Sequence, residues 1–122
     1  MTRITVFAAS GKIPHCRFVR LTGRVSDGCY EVAAVGTGRA HALILPHPNK
    51  EISPTEFGHA HCLGPVLEAE AGLPVKAGDD LVADKAGCVV PAKPGDKRCC
   101  AVAVTSSAKG GQALIIVRTA MS

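Results

Sequence analysis

Short apolar runs, each closed by glycine, proline, aspartate, asparagine or serine, set the rhythm of this chain. β-type runs fall at 4–8, 16–21, 30–35, 42–45, 66–69, 80–83, 88–90, 101–104 and 113–118. No window sustains a 3.6-residue period over helical length. The breakers supply the positive or fixed φ values that turns require. The best helical candidate is "SPTEFGHA". There Ser53 offers an N-cap, Pro54 a first helical position and Glu56 the third residue after the cap, but Gly58 follows almost at once. The pattern predicts an all-β chain, folded as a small β-barrel or β-sandwich.

Laying 28–45 over 87–104 without a gap matches Gly28 with Gly87, Cys29 with Cys88 and Ala33 with Ala92. It also matches Gly36 with Gly95, Arg39 with Arg98 and Ala42 with Ala101. Each half reads as a strand, a Gly-Cys start, a short strand, a glycine turn and an apolar strand. This predicts one domain, 1–122, built from two pseudo-repeated strand–turn–strand units, 13–70 and 71–122. Residues 1–12 precede them as an extended N-terminal segment. "RITVF" there is read as an arm reaching a neighbour, with Gly11 as the hinge, or as an edge strand, or simply as the first strand of the domain's own sheet. Arg3, Ile4, Val6 and Phe7 are accordingly the candidate contacts with a partner surface or a second subunit.

Composition narrows the function. Hydrophobic residues make up 47% of the 122, enough for a core, but aromatics are 3% and tryptophan is missing. Little surface is left for stacking bases. The net charge of +4 comes from 14 basic and 10 acidic residues scattered along the chain, with Lys97-Arg98 the longest basic cluster. No nucleic-acid partner is expected. No apolar run reaches the roughly 18 residues of a membrane helix, and no membrane partner is expected. The apolar core of "MTRITVFAASGKIPH" is too brief for a signal peptide. Six cysteines in a chain expected to stay in a reducing cytoplasm read as free thiols, mostly buried. Cys99 and Cys100 would point to opposite faces of a strand and cannot easily pair with each other. Cys99 lies opposite Ala40 in the overlay and is read as a small buried hydrophobe.

Candidate chemistry is sparse. "GHAHC" puts His59 and His61 on one face of a strand and Cys62 on the other, two ligands where a structural zinc wants four. His15, Cys16, His41 or His47 would have to complete the set, so no metal is expected, with His59 and His61 the weak alternative. "VGTGRA" has no helix after it and is no phosphate cradle. Asp79-Asp80 reads as a turn entering a strand. No catalytic residue and no cofactor are expected. "ADKAG" imitates the lysine setting of a lipoyl carrier, with Lys85 at a hairpin tip, which keeps a hammerhead-like binding or carrier module as the alternative. A metal- or thiol-dependent enzyme is a third class.

The second half, "GLPVKAGDDLVADKAGCVVPAKPGDKRCCAVAVTSSAKGGQALIIVR", resembles the cement, or capsid decoration, proteins of tailed bacteriophages. The shared cadence is "AGD" before a strand, a valine hairpin ending in "PA", a "GD" turn, an apolar strand, and a final valine-rich strand after a glycine turn. "IPHCRFVRLTG" and "YEVAAVGTGRAHALIL" resemble the unit found ahead of it, so the similarity spans 13–118. Cys99 stands where the apolar strand customarily has glycine. The resemblance implies a structural virion protein, made in the bacterial host cytoplasm, that binds the capsid exterior and stabilises the shell. Its implied partners are the major capsid protein and further copies of itself, as a dimer or trimer at capsid symmetry axes.

Overall fold

The computed structural model describes residues 3–36, 40–54, 56–61 and 63–118, the side chains of 63–65 excepted. The strands among them are β1 (Arg3–Ala8), β2 (Ile13–Pro14), β3 (Phe18–Ser26), β4 (Cys29–Ala34), β5 (Ala42–Ile44) and β6 (Glu51–Ile52). They continue with β7 (Phe57–His61), β8 (Leu63–Glu70), β9 (Asp80–Ala83), β10 (Val89–Pro91), β11 (Ala101–Ala103) and β12 (Gln112–Arg118). The described chain is all-β, as the pattern of runs predicts. Each long predicted run became a strand, β7 takes in most of the "GHAHC" stretch weighed as a strand, and β2 and β6 were not foreseen.

The two halves repeat one strand order. In the first, β4-β3-β5-β7-β1 closes into a barrel because β1 also pairs with β4 in parallel, Val6 opposite Tyr30 and Ala8 opposite Val32. In the second, the order is β10-β9-β11-β12-β8. Its two ends meet at one parallel bridge between Ala71 and Val89, where the Gly72 amide donates to the Val89 carbonyl at 2.8 Å. β1 and β8 therefore hold equivalent places, each antiparallel to the last strand of its own half.

This corrects the reading of the N-terminal segment. β1 is hydrogen-bonded on both sides, to β7 and to β4, so "RITVF" is neither an arm nor an edge strand but, as the remaining reading has it, a strand of the domain's own sheet. It is the strand that closes the first barrel, and its counterpart is β8. The strand pairing divides the halves between β7 and β8, earlier than the expected boundary after residue 70.

Local chemistry explains the turns. In the β3–β4 hairpin Ser26 faces Cys29 across Asp27-Gly28, whose φ values of 50° and 77° make the two-residue turn that matches strand twist. "SPTEFGHA" keeps its cap without its helix. The Ser53 Oγ donates to Glu56 Oε1 at 2.7 Å, the Ser53 amide reaches the same oxygen at 3.3 Å, and the Glu56 amide returns to the Ser53 carbonyl at 2.9 Å. Phe57 then enters β7, where pairing with β1 satisfies the backbone instead.

The halves share their cores through β3 and β5. Val19, Ala42 and Ile44 point into the first barrel with Val6, Val32, Ile52 and Ala60. Their neighbours Phe18 and Leu43 point the other way, into the cluster of Leu81, Val89, Ala101, Ile115 and Val117. Strands buried on both faces read as unbroken apolar runs, which is why "ALIL" lacks alternation. Burying Phe18 alone contributes about 3 kcal/mol. Backbone bonds seal the junction: Phe18 amide to Gly87 carbonyl, 2.8 Å; Glu70 amide to Cys16 carbonyl, 3.0 Å; Gly36 amide to Lys85 carbonyl, 3.1 Å. The Arg17–Glu70 ion pair at 3.1 Å lies beside them.

Candidate functional site

Two surface features stand out from the polar exterior. The first is the outer face of β8, β12 and β11. Ala69, Ala113, Ile115, Val117, Ala101 and Ala103 fill the inner face, so alternation sends their neighbours outward. On an ordinary half-buried sheet these would be polar. Here Val66, Ile116 and Val102 stand in one cross-strand row. Leu114 lies in the next row opposite Glu68, and the Val104 amide donates to the Leu114 carbonyl at 2.7 Å. Val66 is 50% exposed, Val104 40% and Leu114 38%. A contiguous apolar patch rimmed by Glu68 and Arg118 marks an interaction surface more than it marks an ordinary exterior.

The second is a cleft of about 410 Å³ on the first barrel, lined by Phe7, Ser26, Asp27, Pro54, Glu56 and Phe57. Phe7 and Phe57 are direct partners across β1 and β7, their rings 6.3 Å apart and edge-to-face at 74°. The β3–β4 turn supplies Ser26 and Asp27, and the Ser53–Glu56 turn supplies the rest. Hydrogen bonds from Ser53 hold the Glu56 carboxyl below its ordinary pKa, with help from Asn49 and His47.

The expected contact residues separate. Val6 is fully buried in the first barrel and so out of reach of a partner, whereas Ile4 is half-buried and packs against the same core. Arg3 is exposed and Phe7 faces the cleft. Sequence reasoning missed Phe57, Val66, Val102, Val104, Leu114 and Ile116. The available signal was the failure of "AVAV" and "ALIIV" to alternate.

The histidines are placed for backbone work. His15 Nδ1 accepts from the His47 amide at 3.0 Å, His41 Nδ1 from the Leu21 amide at 3.0 Å, and His47 Nδ1 from the Asn49 amide at 3.2 Å. His59 is exposed opposite Thr5, whereas His61 is buried opposite Arg3. Burial, then the Arg3 charge, lowers the His61 pKa. Among the described residues no group of three His, Cys, Asp or Glu is arranged to hold a metal, and Cys62 lies outside them. Asp79 Oδ2 accepts the Lys76 amide at 2.9 Å, as a turn residue does.

Five cysteines are free among the described residues. Burial pushes the thiols of Cys16 and Cys88 up to about 11 and that of Cys100 up to about 12. Neutral, desolvated thiols are poor nucleophiles. Cys99 is exposed, which corrects its reading as a buried hydrophobe, and Sγ donates to the Asp96 carbonyl at 3.3 Å. Lys85 sits in the β9–β10 turn, but that turn does not project freely. Its backbone is bonded to Gly36 and Phe18 of the first half, whereas a carrier lysine needs a tip clear of the body.

No family model matches the chain, and no curated protein matches it. Among solved structures, the fold is that of the head fiber gp8.5 N base of bacteriophage phi29. The likeness covers 98% of this chain and 97% of that one, at a TM-score of 0.63 and 21% identity.

Proposed function

We propose that the chain is a structural protein of a phage head, bound to the outside of the capsid, where it stabilises the shell. The observation that carries this reading is the end-to-end likeness of both halves to the base of a phage head fiber. The sequence cadence of capsid decoration proteins points the same way, independently of the three-dimensional match. The attachment surface is the apolar face of Val66, Ile116, Val102, Leu114 and Val104, which offers the major capsid protein a rigid sheet with no loop to order on binding. Many copies on one shell add modest contacts into a large total. No chemistry is assigned to the protein, and copies associate, as a dimer or trimer, at capsid symmetry axes.

The test is cosedimentation with shells assembled from the major capsid protein of the same phage, followed by calorimetry of the shells. The wild type should pellet with the shells and raise their melting temperature. Ile116→Lys with Val102→Lys should stay folded and remain in the supernatant. Wild-type protein that leaves both sedimentation and melting unchanged would sink the proposal.

A further inference from the structure

The aromatic cleft on the first barrel is a second feature that shell attachment through the second sheet leaves unused. From its lining we infer that it receives an arginine side chain carried on an extended segment of a partner protein. This rests on the cleft alone and stands whether or not the chain binds a capsid.

The volume of about 410 Å³ falls in the range of about 300–1,000 Å³ typical of ligand sites. Its walls combine aromatic rings with carboxylates. Phe57 is 60% exposed, and its contact with Phe7 is edge-to-face, so a ring face remains for a ligand. Two carboxylates border the same space. Asp27 sits at φ 50° in a two-residue turn, which fixes where its carboxylate can reach. No hydrogen bond or ion pair engages that carboxylate among the described residues. Glu56 is locked by Ser53 and Asn49, and stays ionised to lower pH than an ordinary glutamate.

A negative, aromatic cleft on a chain of net charge +4 selects a cation by complementarity. The cation that suits both wall types is the guanidinium. It is planar and weakly hydrated, stacks on an aromatic face, and can offer parallel N–H donors to a carboxylate. An ammonium is more strongly hydrated and lacks the plane. The cleft is open and bordered by the Ser26-Asp27 turn and by Pro54 and Glu56. An extended backbone can therefore lie across it while one side chain enters.

The probe is the acetylated, amidated pentapeptide Gly-Val-Arg-Val-Gly, titrated into the ¹⁵N-labelled protein beside its citrulline counterpart, which keeps the shape and loses the charge. The arginine peptide should shift the amides of Ser26, Asp27, Glu56 and Phe57 with millimolar saturation. The citrulline peptide should bind about fivefold more weakly or not at all. Phe57→Ala should weaken arginine binding about threefold or more. Asp27→Asn, which suits the left-handed turn, should weaken it similarly with unchanged melting. Shifts that fail to saturate, that spread over other acidic positions, or that survive both substitutions would overturn the inference. Equal binding of the citrulline peptide would overturn it too.

Discussion

The Phe18 amide donates to the Gly87 carbonyl at 2.8 Å, and this bond brings a strand of the first half against a turn of the second. Gly87 has φ 88°, and a β-carbon there would collide with the Phe18 carbonyl oxygen. The approach thus requires glycine twice, for conformation and for space.

Gly87→Ala should therefore cost about 3 kcal/mol or more, since the strain of positive φ adds to a displaced junction. Gly28→Ala has the same φ problem at 77° with open space around it, and should cost only about 1 kcal/mol. Urea midpoints of the two variants measure the difference. Equal losses would mean that the junction is not tightly packed.

Removal of residues 1–8 should abolish the cooperative fold of the first barrel. The deletion strips hydrogen-bond partners from β4 and β7 together and removes the buried Val6 and Ala8. Circular dichroism of the truncated chain should show lost sheet structure or an insoluble product. Val6→Ala alone should cost about 2–3 kcal/mol, whereas Thr5→Ala on the outer face should cost little.

Native thiol labelling at pH 8 should reach Cys99 first and Cys29 more slowly. Cys16, Cys88 and Cys100 should react only on unfolding. Partial desolvation, then Asp80 and Asp96, raises the Cys99 thiol somewhat, so access more than acidity makes it first. Mass spectrometry of the labelled sites decides the order.

The same buried thiols predict a loss of stability in alkali. Their folded pKa values of about 11 to 12 lie above the ordinary 9.0, so the folded state keeps protons that the unfolded chain releases. Stability on this account is full below pH 9 and declines as pH rises towards 11 to 12. Cys100→Ala should flatten that decline in urea titrations between pH 8 and 11.

Ser53→Ala should raise the Glu56 pKa towards its ordinary 4.5, because the Ser53 side chain is the largest cause of its depression. Carbon-13 detected titration of the carboxyl reads this directly. The sign for folding is that Glu56 favours the native state above pH 4.5 and ceases to do so as pH falls through its lowered value.

Much of this protein is local and was legible in the chain. Period-two or unbroken apolar runs, Asp-Gly and Pro-Gly turns, and the Gly-Cys strand starts determined an all-β duplicated fold. A hairpin turn such as Asp27-Gly28 is specified by its own φ values, with little help from elsewhere. Ser53 and Glu56 determined a capped turn in the same local way.

Tertiary structure decided what pairing partners and burial control. "RITVF" suits an arm, an edge or an interior strand equally. Only the simultaneous offer of β7 and β4 as hydrogen-bond partners made it the closing strand. The outward direction of Ile116 and Val66 follows from which neighbours fill the interior, and an unbroken apolar run does not reveal that. Phe57 entered a strand instead of continuing from its cap because backbone pairing with β1 outweighed one local turn. The cleft joins Phe7, Asp27 and Glu56 from three separate parts of the sequence, and closure of the first barrel brought them together.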